Sequence, residues 1–211
     1  MTEVHGPEVH FSYETVGDGF PLVLTPGPSG IWDPYMPLLG ELCRTIAYVG
    51  HDLVDVPHTA GRHPRARAAE MLGTFLDILD LERVYIASQA VHWPMALHFA
   101  LYSPGRLEGL LLVGMNDGAM HALDDVMSFR ACLHTIAVPT LIVLEAAASA
   151  ALPYAALLAE RLPRCTRLVI DDTTPASSSR SPALRLGHAM MRFLLHCERQ
   201  RTLVRGASFL L

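Results

Sequence analysis

Residues 88–92 read Ser-Gln-Ala-Val-His and follow an apolar run over 83–87. The run predicts a strand, and residues 91–102 predict a helix, so the five residues form a corner between them. Ala90 sits at the apex and offers a methyl group, which can attack nothing. His92, two positions on, is the nearest group able to accept or donate a proton. His51 closes the apolar run over 45–50, and Asp117 follows Gly114-Met115-Asn116. His92, His51 and Asp117 are therefore the candidate acid–base residues. Each has a structural alternative. His92 can be a core imidazole with one hydrogen bond. Asp117, in the turn Asn116-Asp117-Gly118, can cap a short helix. His58 and His63, in a polar loop, read as solvated surface.

The other chemistry offered by the sequence is apolar binding. Trp32 and Trp93 are expected to flank one mouth, with Met115 and Tyr35 nearby and with Thr25, Gly27, Ala90 and Val91 lining it. Such a pocket suits a hydrophobic, aromatic or polyketide-like small molecule. The alternative is that both indoles simply complete the core. The chain has 11 histidines, but no H-x-H or H-x-x-x-H pair stands beside an acid on an expected element. No metal site is expected, and a convergence of His51, His58 and His92 has no sequence signature.

Composition narrows the classes. A chain of 211 residues that is 51% hydrophobic suits one domain over residues 1–211. A chain of that length buries roughly 70% of its unfolded surface, enough to fold without metal or disulfide. The net charge of −5 argues against a nucleic-acid partner. All 16 basic residues are arginine, which excludes a lysine Schiff base and a Walker-type phosphate loop. No cofactor is expected. The four cysteines are scattered, no apolar run approaches the ~20 residues of a membrane span, and no leader pattern opens the chain. A cytoplasmic protein with reduced thiols is the expectation. The tail over 202–211 ends in Ala-Ser-Phe-Leu-Leu and is expected to dock on the domain or on a second copy.

The elements that must position these residues alternate. Strands are expected at 9–16, 21–25, 45–50, 83–87, 109–114, 140–144 and 167–171. Helices are expected at 34–43, 66–79, 91–102, 152–162 and 182–196. A turn over Gly17-Asp18-Gly19 joins the first two strands. Continuously apolar strands alternating with helices imply a mostly parallel, doubly wound α/β sheet covered on both faces. The loops after its strands gather at the carboxyl ends, where ligands bind. Residues 119–136 form a minimal cap segment, with 122–135 as a single cap helix.

The segments "GDGFPLVLTPGPSGIWDPYMPLL", "YVGHDL", "ERVYIASQAVHWPMALHFALYSPGRLEGLLLVG" and "VPTLIVL" come in an order and at a spacing that resemble the α/β-hydrolase fold superfamily. The resemblance runs from about residue 9 to residue 196. It implies a nucleophile elbow, G-x-S-x-G, at positions 88–92. Here the glycine positions hold Ser88 and His92, and the nucleophile position holds Ala90. It implies a histidine after the last strand, where residues 171–177 read Asp-Asp-Thr-Thr-Pro-Ala-Ser. It implies an acid after the strand at 140–144, where only Glu145 stands. Some members carry that acid after the preceding strand, which is where Asp117 lies. The position of Asp52 is commonly a structural aspartate. The usual His-Gly entrance to the oxyanion loop reads Thr25-Pro26-Gly27-Pro28, and two prolines remove two N–H donors. The triad is thus degenerate at all three positions.

Three functions remain open. One is a non-hydrolytic, cofactor-independent enzyme of biosynthetic type acting on an apolar carbonyl or enol substrate. His92, with His51 or Asp117, would move the proton, and backbone N–H groups at the corner would stabilise the oxyanion. Cyclisation, isomerisation, cleavage or cofactor-free oxygenation all need that equipment. The second is a catalytically dead protein that binds a ligand or partner. The third is a hydrolase with an unorthodox nucleophile, Ser88 or Ser149.

Overall fold

The structure is a computed structural model that describes residues 2–5, 10–26, 30–50, 64–114, 125–145, 151–170 and 182–208. Eight strands form one sheet: β1 (Thr2–His5), β2 (His10–Val16), β3 (Phe20–Leu24), β4 (Cys43–Gly50), β5 (Val84–Gln89), β6 (Leu107–Gly114), β7 (Thr140–Glu145) and β8 (Cys165–Ile170). Their order is β1-β2-β4-β3-β5-β6-β7-β8. β1 and β2 pair antiparallel, β2 meets β4 antiparallel, and the pairings from β4 to β8 are parallel. The expected mostly parallel sheet is therefore present.

Among the described residues, five α-helices cover it: α1 (Met36–Gly40), α2 (Pro64–Ile78), α3 (Trp93–Tyr102), α4 (Leu152–Arg161) and α5 (Pro182–Ser208). Each begins at or beside a proline, whose fixed φ suits the first turn and whose missing N–H costs nothing there. Side chains alternate across each strand, so the sheet carries two cores. Ile86, Leu110, Leu112 and Ile142 pack with α2, α3 and α4. Tyr85, Ala87, Leu111 and Val143 pack with α1 and α5 on the other face. In α2 the apolar positions Ala68, Leu72, Phe75 and Leu76 recur at helical spacing. They place Phe75 against Tyr48 at 4.6 Å and Phe11 at 5.4 Å.

Three expectations differ from the structure. The last helix does not stop near residue 196 but runs to Ser208. Its far half is held by charge: Arg201 bonds Glu108 at 3.1 Å and Glu198 at 2.8 Å, while Tyr85 donates to Glu198 at 2.8 Å. Those pairs leave no apolar periodicity to read. The single cap helix over 122–135 is replaced, in its described part, by two 3₁₀ turns at Asp125–Phe129 and Leu133–Thr135. Val126 and Leu133 are buried in the α3-side core, and Phe129 meets the His98 ring of α3 at 6.2 Å. Finally, β1 lies on β2 as an unforeseen edge strand. No helix among the described residues is long and apolar enough to cross a membrane.

Candidate functional site

The chain leaves β3 for α1 on one face of the sheet and leaves β5 for α3 on the other. Adjacent parallel strands whose connections diverge in this way open a crevice at their carboxyl ends. Thr25 ends β3 and Ala90 follows β5, so these two residues stand on either side of it. Thr25 is fixed tightly. Its N–H donates to Ala87 O at 2.9 Å, its carbonyl accepts Trp32 Nε1 at 2.7 Å, and its hydroxyl reaches Ser88 Oγ at 3.5 Å. The N–H of Thr25 is thereby consumed by the sheet and cannot serve as an oxyanion donor.

The corner is short and relaxed. Gln89 ends β5 with φ −76° and ψ 162°, and Ala90–His92 form one 3₁₀ turn that runs into α3. Among the described residues other than glycine only Asp80 has positive φ. Ala90 is therefore in ordinary backbone, without the strained turn that lifts a side chain above a sheet. Its methyl is buried, 1% exposed. Ser88 lies within β5, paired with Leu112, and its hydroxyl donates to Gln89 O at 3.3 Å. Its oxygen is engaged in the sheet interior.

His92 ends the turn at φ −107°, ψ 3°, in the sparsely occupied bridge region, and is half-buried. Burial alone lowers its pKa from 6.5 to about 4, because a desolvated imidazolium loses hydration. The ring is neutral at physiological pH. No carboxylate contributes to that shift, so no acid among the described residues stabilises its charged form.

Trp32 and Trp93 lie in different cores. Trp93 is fully buried in the α3-side core, with Nε1 donating to Ser88 O at 3.2 Å. Trp32 is 5% exposed in the α1-side core, tilted edge-on to Tyr35 at 6.2 Å. The β3–α1 and β5–α3 connections run to opposite faces of the sheet and carry one indole each, where each completes a core. Gly114 makes room for Leu144: a Cβ there would stand 2.4 Å from Leu144 Cδ2. Val91, beside Ala90, is half-buried in the same turn. His51, Asp117, Gly27 and Met115, like His58 and His63, lie outside the described residues. Among the described candidates, Thr25 follows β3, and Ala90, Val91 and His92 follow the neighbouring strand β5.

Gln89 was not singled out from sequence. Its side-chain amide is fully buried, and neither Nε2 nor Oε1 has a hydrogen-bond partner among the described residues. An orphaned buried amide costs about 1–3 kcal/mol, and a native fold keeps one where something else satisfies it. Alternation along β5 places Gln89 on the face of Tyr85 and Ala87, the face that carries Trp32 and Tyr35. Tyr35 is buried there, and its hydroxyl is pushed up to about 12 by burial and by the nearby Glu145 carboxylate. The available signal was a polar residue ending an otherwise apolar strand. No group of three or more histidine, cysteine or acidic residues among the described residues could hold a metal ion.

No protein-family model and no curated protein matches the sequence. Solved structures do match. A thermophilic esterase from Thermogutta terrifontis superposes with a TM-score of 0.70 at 16% identity, over 93% of this chain and 99% of that one. A meta-cleavage product hydrolase from Pseudomonas fluorescens IP01 gives 0.68 at 15%, over 93% and 98%. An enol-lactonase from Burkholderia xenovorans LB400 gives 0.67 at 14%, over 92% and 100%. At these identities the likeness is one of fold.

Proposed function

We propose that this chain, which has the α/β-hydrolase fold, acts on a small apolar carbonyl or enol compound without forming an acyl-enzyme. The observation that carries the reading is the corner: a buried alanine stands in relaxed backbone at the nucleophile's place. No oxygen is offered for attack, while the crevice and its polar backbone persist.

The chemistry then falls to the turn itself. The N–H groups of Ala90 and Val91 lead a helical segment that continues to Tyr102, and the first N–H groups of such a segment have no internal acceptor. They favour negative charge beside them. His92, neutral at working pH, has a free lone pair. It takes a proton from the carbon next to the substrate carbonyl, and the C–H electrons pass into the enolate. The enolate oxygen rests on the two N–H groups, and its charge offsets the cost of forming an imidazolium in a buried place. Return of the same proton to another carbon completes an isomerisation with no other reactant. Cyclisation, decarboxylation and retro-aldol cleavage would pass through the same enolate. His51 and Asp117 are proposed as the groups that orient His92 or share its proton. The orphaned Gln89 amide supports a second polar anchor on the α1 side. All four cysteines are unpaired, which fits a reducing compartment such as the cytoplasm.

The second reading is a ligand-binding protein without turnover. The low pKa of His92 favours it, since a base near 4 is weak at neutral pH. Screening a library of apolar β-dicarbonyl and enol compounds for turnover and, by thermal shift, for binding separates the two. Turnover lost in His92→Ala with binding retained supports catalysis. Binding without wild-type turnover supports the second reading.

A further inference from the structure

β8 is the last strand of the sheet, so one of its edges has no neighbouring strand among the described residues. Thr166, Arg167, Leu168 and Val169 are all exposed, the latter two at 41%. A row of unpaired N–H and C=O groups flanked by apolar side chains is a template for another strand. Proteins usually blunt such an edge with proline, a bulge or a covering segment. β8 has none of these among the described residues and carries one charge, Arg167.

Beside this edge runs α5, and a groove of about 1080 Å³ lies between them. Its floor is apolar, with Leu141, Ile170 and Phe193. Its walls are basic: Arg167 comes from the strand, and Arg185, Arg192 and Arg199 come from the helix. Seven-residue intervals stack those three along one side of α5, next to the buried stripe of Leu186, Met190 and Leu194. No acidic side chain among the described residues lines the groove. Arg167, Arg192 and Arg199 form no ion pair with a described residue. Four guanidinium groups over an apolar floor, beside an open sheet edge, define what fits.

We propose that this groove takes an extended acidic segment of a partner protein, added to the sheet as a strand alongside β8. Backbone pairing to Thr166–Val169 would supply the register. Side chains at every second position of the guest would point toward α5, where Asp or Glu would meet Arg185, Arg192 and Arg199 as charge-assisted pairs. A second copy of this chain is the poorer guest, since edge-to-edge pairing would bring two arginine-lined grooves together. The surface stands three strands from the corner at Ala90, so it is independent of the reaction proposed there.

The test uses the full chain and a fluorescein-labelled octapeptide alternating Glu and Val. The expected result is saturable binding that weakens at least tenfold in Arg167→Glu and in Arg192→Glu, each checked for an unchanged melting temperature. N-methylation of alternate peptide residues should abolish binding in one of its two registers, and bound peptide should slow amide exchange at residues 166–169. Absence of saturable binding overturns the proposal. Equal binding of both N-methylated peptides, of poly-aspartate, or of a single-stranded oligonucleotide of the same charge also overturns it, because each makes the groove a plain polyanion site. A dimer in sedimentation that Arg167→Glu dissociates overturns it in favour of self-pairing. Should either charge reversal lower the melting temperature, Arg192→Gln carries the same test.

Discussion

Trp93 Nε1 donates to the carbonyl oxygen of Ser88 across 3.2 Å, both residues fully buried, so the first residue of α3 ties down the strand that precedes it. The bond spans the corner at Ala90 and fixes its geometry from beneath. Replacing Trp93 by Phe keeps most of the apolar body but removes this bond to the Ser88 carbonyl. A buried hydrogen bond contributes about 0.5–1.5 kcal/mol. Urea denaturation of Trp93→Phe should show a loss in that range with an unchanged slope.

His92 makes stability pH-dependent. Its folded pKa, about 4, lies below the unfolded value of 6.5, so the unfolded chain binds the extra proton between them. The contribution is complete above pH 6.5 and is lost as pH falls toward 4. The gap corresponds to about 3 kcal/mol. His92→Gln should flatten that part of the stability–pH curve, measured by chemical denaturation at pH 4.5 and pH 7.5. An unchanged curve would place the acid limb elsewhere.

The end of α5 depends on a few polar contacts. Tyr85 donates to Glu198 Oε1, and Arg201 joins Glu198 to Glu108. The Tyr85 hydroxyl has its pKa raised by burial and by that carboxylate. Tyr85→Phe should cost about 1–2 kcal/mol. Its amide exchange should rise over residues 198–208 first, leaving the apolar stripe from Leu186 to Leu194 protected.

Thiol reactivity should follow exposure. Cys132 is exposed, whereas burial holds the Cys43, Cys165 and Cys197 thiols up at about 11. Iodoacetamide at pH 7.5 should alkylate Cys132 well ahead of the other three, as read by peptide mass spectrometry.

The fold was legible because its signals are local and strong. β5 and β6 read as continuous apolar runs since both of their faces are covered. Helix starts were readable from Pro64, Pro94, Pro153 and Pro182. The far half of α5 was not, because Arg201 and Glu198 hold it through partners distant in sequence. Val126 and Leu133, seven residues apart, imitate a helical stripe while serving two separate 3₁₀ turns. At the site, both glycine positions of the expected elbow hold other residues, and the structure has a corner in ordinary backbone there. Trp32 and Trp93 belong to different cores because the connections after β3 and β5 leave on opposite faces of the sheet, a path that the sequence around them does not display. Gln89 escaped notice because only burial without a partner makes it unusual.

Ala90→Ser restores the hydroxyl but not the turn that would lift it. The variant should hydrolyse p-nitrophenyl butyrate no faster than the wild type.

The central claim, that no serine of this chain is activated for attack, is tested most directly by intact-mass analysis after incubation with a fluorophosphonate. The account predicts an unmodified mass for both the wild type and Ala90→Ser. A stoichiometric single adduct on any serine of the wild type would contradict it.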